Sequence, residues 1–359
     1  MHILFCLGSM NKGGAERVIA NLSNNFIERY KITIVITSNT CPEYELNKKI
    51  NLISLDTNNK KENLIKRNIK RILKLRKIIK KEKPDVIVSL LPEPTYRVML
   101  SKLFLKNKVI ISVRNDPNAE YNTLIKRILV RLLYSNADGF IFQTADAQKW
   151  FSKKIQNKST IIPNPINENF ITHPFEGERE KKIVTVGRLV EQKNQKLLID
   201  AFNKFQKEYQ NYKLSIFGEG PLKDSLMKHI DDLGLNNKVF LEGEKKDIKS
   251  YIYDAEMFIL SSDFEGMPNA LMEAMALGIP CISTDCPCGG PKFLINNGIN
   301  GYLFEVNNKE KLYQLMKKLA ENKNIRDKFS KNANMICEKL NPNLIYSKWE
   351  EYIIKIYNK

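Results

Sequence analysis

Nearly unbroken apolar runs alternate with longer amphipathic stretches along the whole chain. In the first half the runs are HILFCLG, KITIVIT, DVIVSLL, VIISV and GFIFQT, the pattern of strands buried on both faces. Between them apolar residues recur three and four apart, as in AERVIANLSNNFIERY, which predicts helices. IIPNPINENF (161–170), rich in Pro and Asn, predicts a linker. The alternation then restarts with KKIVTVGRL, YKLSIFGEG, KVFLEGE, MFILSS and PCISTD, separated by helical patterns such as NQKLLIDAFNKFQKEY. Strands that alternate with helices imply a parallel sheet covered on both faces. The expectation is an α/β chain of two doubly wound domains, 1–165 and 166–341, followed by a helix over 342–359. That last segment carries Ile345, Trp349, Ile353 and Ile356 on one face, and such a stripe needs a surface to cover.

Length agrees, since 359 residues exceed what one ordinary core serves. No apolar run nears the roughly 18 residues of a membrane span. The opening MHILFCLGSM lacks the basic flank of a secretory signal and reads as a first buried strand. The six cysteines are scattered, and Cys286 and Cys288, two apart, match neither a zinc spacing nor a disulfide framework. A reducing cytoplasm is the expected home.

Charge changes the picture. Residues 1–172 hold 30 Lys and Arg against 14 Asp and Glu, whereas residues 173–359 hold 28 against 26. Nearly the whole net charge of +18 therefore lies in the first half, which must face something anionic. The densest stretch is KKENLIKRNIKRILKLRKIIKKEKPD (60–85). Ile65, Ile69, Ile72, Leu75 and Ile79 recur there at helical spacing among Lys and Arg, as in a helix lying on an anionic membrane surface. The same stripe would serve a helix packed on a sheet. LIKRILVRLLYS (124–135) is a second basic helix and favours the membrane reading for 60–83. Nucleic acid is not expected, because no aromatic residues interleave the charges and no binding motif is present.

The densest chemistry lies in SSDFEGMPNALMEAMALGIP (261–280), which reads as strand end, loop and helix. Pro268 suits the first helical position, and Met267 before it cannot cap the open N–H groups. An uncapped start of this kind attracts phosphate. Glu265 stands just outside it. Glu273, a turn and a half inside, is the only charge on a helix of Ala, Leu and Met, and an acid so placed wants a hydroxyl or cationic partner. GRLVEQKN puts Arg188 and Lys193 just after a predicted strand, five apart, where they could grip a diphosphate. SMNKGGAERV sets Gly13 and Gly14 at a helix start after the first strand, where backbone can approach a ligand, although it is not a dinucleotide fingerprint.

With those motifs in order, the chain resembles the retaining glycosyltransferases of family 4, which have the GT-B fold. GGAERV, GRLVEQKN, FGEGPL, EGMPNALMEAMALGIP and GPKFLINNGINGYLF carry the resemblance over most of the length. It implies two Rossmann-like domains facing across a cleft, the C-terminal helix crossing back to the first, and a nucleotide-sugar donor held mainly by the second. By carry-over, Arg188 and Lys193 neutralise the diphosphate. The backbone at Gly266, Met267 and Asn269 cradles phosphate or sugar, Glu265 holds sugar hydroxyls, Glu273 the ribose, and Gly14 approaches the phosphates. Many relatives carry a His after the fourth strand of the first domain. Here VIISVRNDP places Arg114 there, either to hold an acceptor phosphate or donor hydroxyl or to pair with Asp116.

The expectation is thus a cytoplasmic enzyme peripheral to the inner face of the plasma membrane. It moves a hexose or N-acetylhexosamine, with retention, from a nucleotide diphosphate sugar such as a UDP-sugar. The acceptor is a polyprenyl-diphosphate-linked glycan of bacterial surface polysaccharide assembly. Neither metal nor other cofactor is expected, because no D-x-D pair sits in a suitable loop and two cations can do the electrostatic work. The rivals are a UDP-sugar epimerase of the same fold, a non-enzymatic basic membrane adaptor, and a nucleotide-cofactor oxidoreductase, which the missing dinucleotide fingerprint disfavours.

Overall fold

In a computed structural model, residues 1–11, 13–38, 41–56 and 63–359 are described; residues 60–62 of the basic stretch therefore lie outside the described residues. The chain divides into two units, Met1–Pro165 together with Asn343–Lys359, and Ile166–Pro342.

The first unit holds a seven-stranded parallel sheet: β1 (His2–Leu7), β2 (Lys31–Ile36), β3 (Asn51–Ser54), β4 (Val86–Leu90), β5 (Lys108–Ser112), β6 (Gly139–Phe142) and β7 (Ser159–Ile161). Their order across the sheet is β3-β2-β1-β4-β5-β6-β7. Right-handed crossovers put the helices Leu64–Glu82, Pro92–Ser101 and Leu124–Leu129 on one face and Gly14–Phe26 on the other. The C-terminal helix Pro342–Tyr357 joins the latter face, where Arg29, just past Gly14–Phe26, grips Glu350 by two bonds of 3.0 and 3.1 Å. Ile345, Trp349, Ile353 and Ile356 are all buried there, so the predicted stripe finds its surface. Each such side chain contributes about 1.5–3 kcal/mol. Gly139 makes room for this helix, since a Cβ there would lie 2.8 Å from the Tyr352 hydroxyl. That hydroxyl donates to the Lys158 carbonyl (2.7 Å) and accepts from the Phe140 N–H (3.0 Å).

The basic helix is not the single stripe expected. Leu75 and Ile79 face the core and Ile72 is half-buried, while Ile65 and Ile69 are exposed. Residues 65, 69 and 73 share one side of the helix and 75 and 79 another, so the apolar positions split into two faces.

The second unit holds six parallel strands, β8 (Glu180–Val186), β9 (Lys213–Phe217), β10 (Val239–Gly243), β11 (Ala255–Leu260), β12 (Cys281–Thr284) and β13 (Tyr302–Phe304). Their order is β10-β9-β8-β11-β12-β13. One core cluster, including Leu198, Phe202, Phe205, Ile216, Met257 and Ile282, fixes the helix Gln195–Phe205 against the sheet. Among the described residues no helix is long and apolar enough to cross a membrane.

A carboxyl group is shut into the first unit. Glu120 ends the helix Pro117–Glu120, and its Oε2 is closed off from solvent with no hydrogen-bond partner among the described residues. Burial first, and the Asp116 charge second, push it up to about 7. An ordinary carboxyl titrates near 4.3, so between roughly pH 4.5 and 7 the folded chain holds a proton that the unfolded chain releases. Stability contributed by this group is full below that interval and is lost as pH rises through it. Glu120→Gln should match wild type in thermal unfolding near pH 4.5 and unfold at a higher temperature than wild type at pH 8. An equal melting difference at both pH values would refute the assignment.

Candidate active site

The second sheet reverses its order of growth between β8 and β11. The chain builds outward from β8 through β9 and β10, then returns to lay β11, β12 and β13 on the other flank. Loops leaving the carboxyl ends of those two neighbours diverge, and ligands of doubly wound sheets bind in the crevice they leave. Here the loops are residues 187–194 and 261–268.

The two loops are laced together. The Asp263 N–H donates to the Gln192 carbonyl and the Gln192 amide to the Phe264 carbonyl, both at 2.8 Å. The Ser261 hydroxyl donates to the Lys193 carbonyl at 2.9 Å. Asn194, in the left-handed region (φ 45°), accepts from the Leu197 N–H to cap the next helix and donates to Asp263 at 2.8 Å.

This lacing aims Lys193 across Gly187 at Glu265. Lys193 Nζ lies 2.5 Å from Glu265 Oε1, and Ser262 Oγ donates to the same oxygen at 2.6 Å. Thr284, at the end of β12, in turn donates to the Ser262 carbonyl at 2.6 Å. Glu265 and Ser262 are buried. The Glu265 backbone exchanges two bonds with the loop after β12, its N–H to the Pro287 carbonyl (2.7 Å) and its carbonyl from the Cys288 N–H (3.0 Å). Glycines permit this closeness. A Cβ at Gly290 would lie 1.8 Å from the Gly266 carbonyl oxygen, and one at Gly218 would lie 2.1 Å from that of Gly187.

The helix carrying Glu273 begins one residue later than expected. Pro268 occupies the N-cap position with extended backbone, Asn269 is the first helical residue, and no side chain caps the start. The Pro268 carbonyl already accepts the first ladder bond, from the Met272 N–H at 3.1 Å, so proline stands before the first turn rather than in it. Glu273 is buried on this helix, as are Gly266 and Met267 ahead of it, and Asn269 is half-buried. Arg188 is exposed and has no ion pair among the described residues.

Comparison with known proteins agrees with this architecture. The model of the Glycosyltransferase Family 4 domain matches residues 12–170, and that of Glycosyl transferases group 1 matches residues 167–335. The chain belongs to glycosyltransferase family 4. An uncharacterized glycosyltransferase of Methanocaldococcus jannaschii is 34% identical over 254 residues, which span 63% of this chain and 62% of that one. A Campylobacter jejuni α-1,4-N-acetyl-D-galactosaminyltransferase, whose name gives an undecaprenol-PP-linked saccharide, is 27% identical over 100% of this chain and 99% of its own. Among solved structures, Anabaena HepE in complex with UDP and glucose superposes with a TM-score of 0.83 at 17% identity, covering 99% of this chain and 100% of that one. The GT-B fold is thereby established.

In this family 4 glycosyltransferase the structure brings together Lys193 and Glu265, which lie 72 residues apart. The first unit contributes its own candidates. Gly14 is exposed at the start of Gly14–Phe26. The neighbouring Gly13 N–H donates to the Tyr44 hydroxyl (3.1 Å), which donates back to the Gly13 carbonyl (3.0 Å). Leu91 holds φ 68° and ψ 152° where β4 ends, backbone that glycine normally occupies and that persists mostly near ligand sites. Arg114 is buried beneath the C-terminal helix. Its Nη1 donates to Asn164 Oδ1 (2.9 Å), its guanidinium carbon sits 5.0 Å over the Trp349 ring, and Nε and Nη2 are unpaired. Burial pushes this group down to about 9. Asp116 serves instead as a cap, accepting from the Asn118 N–H.

Ser262, Thr284 and Gly290 are parts of the site that sequence reasoning missed. Ser261 and Ser262 read as a turn, and only the hydroxyl pattern at two strand ends hinted at more.

Gly290→Ala should force the Gly266 carbonyl aside, costing about 1–3 kcal/mol in chemical or thermal unfolding. Gly8→Ala, where an added Cβ meets nothing within 4 Å, is the matched control and should be near neutral. Equal effects at the two positions would disprove the close approach.

Proposed function

We propose that this enzyme transfers a hexose or N-acetylhexosamine from a nucleotide diphosphate sugar, a UDP-sugar foremost, to a polyprenyl-diphosphate-linked glycan, retaining the anomeric configuration. The observation that carries the reading is the Lys193–Glu265 pair at the switch point between β8 and β11. An ammonium with three donors that spends one on Glu265 keeps two for an anion. Arg188, on the same loop and without an ion pair among the described residues, would supply the second cation. Together they would bear on the diphosphate, whose charge grows as the glycosidic bond breaks.

Glu265 then has two duties. In the structure its carboxylate is satisfied by Lys193 and Ser262. With donor present, its other oxygen would accept sugar hydroxyls near the anomeric carbon. Gly266, Met267 and Asn269 would cradle phosphate or sugar with their backbone, Glu273 would hold the ribose, and Gly14, exposed at its helix start, would offer backbone to phosphate. Attack on the leaving-group face lets the departing phosphate take the acceptor's proton, so the chemistry needs positioning and charge stabilisation rather than a protein base. The two cations suit a metal-independent departure.

The C. jejuni relative named for an undecaprenol-PP-linked saccharide supports a lipid-linked acceptor, and HepE, crystallised with UDP, supports a uridine donor. Such an acceptor would keep the enzyme at the cytoplasmic face of the plasma membrane. Arg114 would hold an acceptor phosphate only if its side chain leaves Trp349.

Glu265→Ala and Arg188→Ala should each lose about 2–4 kcal/mol of transition-state stabilisation, roughly a 30- to 1,000-fold fall in kcat/KM for transfer from a UDP-sugar to extracted lipid-linked glycan. Activity should survive EDTA. Wild-type turnover by both variants would remove the site from the reading, and inversion at the anomeric carbon, read by NMR of the product, would remove retention.

A further inference from the structure

Two helices of the first unit turn apolar side chains toward solvent. On Leu64–Glu82, Leu75 and Ile79 face the core, yet Ile65, Ile69 and Leu73, four apart, form a ridge that is 69%, 52% and 54% exposed. Lys66, Lys70 and Lys77 flank the ridge and are exposed. The second helix, Leu124–Leu129 continuing through Val130–Tyr134, buries Val130 and Tyr134. Its opposite side carries Leu124, Ile125, Ile128 and Leu132, which are 74%, 72%, 46% and 62% exposed. A helix at home in water shows polar residues there. Arg127 and Arg131 lie exposed among these leucines and isoleucines.

The helix Pro92–Ser101 packs against both of these helices. All three cover the same face of the sheet, because they lie in the crossovers β3 to β4, β4 to β5 and β5 to β6, which run the same way across it. The two apolar surfaces therefore share one side of the unit. Each helix also follows a strand of a parallel sheet and so starts toward its carboxyl edge, and on Leu64–Glu82 and Leu124–Leu129 the most exposed apolar residues lie in the first turn.

An apolar surface of this extent, rimmed by cations, marks a docking site. Charge selects the occupant. A second copy of the chain would bring the same lysines and arginines against these, which repel. Anionic phospholipid headgroups attract them and let the leucines and isoleucines enter the acyl boundary.

We propose that this side of the first unit docks on an anionic lipid bilayer, with the Leu124–Leu132 face and the Ile65–Leu73 ridge inserted and the surrounding Lys and Arg against lipid phosphates. The proposal deepens the lipid-linked acceptor reading and rests on it for the reason a bilayer should be met at all, while the surface is read from burial and charge alone. It also moves the contact from the whole of 60–83 to the start of that helix plus a second one.

The test is co-sedimentation of the full chain with phosphatidylglycerol-containing and with pure phosphatidylcholine vesicles. Wild type should bind the anionic vesicles, less so as salt rises. The triple change Leu124→Ser, Ile125→Ser and Ile128→Ser, at exposed positions, should keep the melting temperature and UDP binding and lower vesicle partitioning at least ten-fold. Lys66→Gln with Lys70→Gln and Lys77→Gln should weaken binding to anionic vesicles and flatten its salt dependence. Wild-type partitioning by the serine variant overturns the proposal, as does a solution dimer that this variant turns into monomer. Failure of wild type to bind UDP would count against the transferase reading alone.

Discussion

One buried carboxylate organises the carboxyl edge of the second sheet. Glu265 sits where water cannot solvate it, and a charge in that position persists only if it is paired and hydrogen-bonded. Its partners come from three strands: Lys193 beyond β8, Ser262 beyond β11, and Thr284 of β12 holding Ser262 from behind. Moving any of them leaves an acid unsatisfied in the interior, so the three loops must keep their mutual positions. The same requirement fixes Lys193 at the switch point, where a diphosphate would meet it. In the proposed reading, structural need and ligand chemistry would be served by one ammonium group.

What the chain disclosed beforehand followed from local physics. Buried parallel strands are continuous apolar runs, so ten of the thirteen strands were readable, the edge strand β10 among them. NLIS, STI and YLF, which became β3, β7 and β13, were not, because three or four residues at or beside a sheet edge carry no such run. The uncapped start beside Pro268 was legible to within one residue, since it depends on what neighbouring side chains cannot do. The Lys193–Glu265 contact was not, because no periodicity links residues 72 apart; a family resemblance named both residues and left their pairing unknown. The 64–82 helix shows the limit of stripe reading. A spacing of three or four identifies an apolar face and is silent about whether protein or solvent lies against it.

Half-buried Lys193 and buried Arg114 are partnered differently. Lys193 has a carboxylate at 2.5 Å. Among the described residues Arg114 has none, only the side-chain carbonyl oxygen of Asn164 and the face of Trp349, with two nitrogens unpaired. A guanidinium over an indole recovers about 0.5–2 kcal/mol, less than desolvation costs. Packing alone does not account for a charge held at net expense. Its position beside Asn164 and the C-terminal helix puts it where the chain leaves the first unit and where it returns.

The outward leucines of 124–132 set a comparable constraint on the surface. Exposed apolar side chains in water lower solubility and confer no stability on the fold. Their neighbours argue against accident, because the same helix buries Val130 and Tyr134 correctly and caps its start with Thr123. A sequence that places polar and apolar residues on their proper sides at one face would, under the proposed docking, have done so at the other for a lipid surface. If the acceptor is lipid-linked, the reacting sugar hydroxyl stays within reach of the headgroups while the donor arrives from the aqueous side. An apolar rim at the carboxyl edge of the first sheet would hold that edge at the depth where the two substrates can meet.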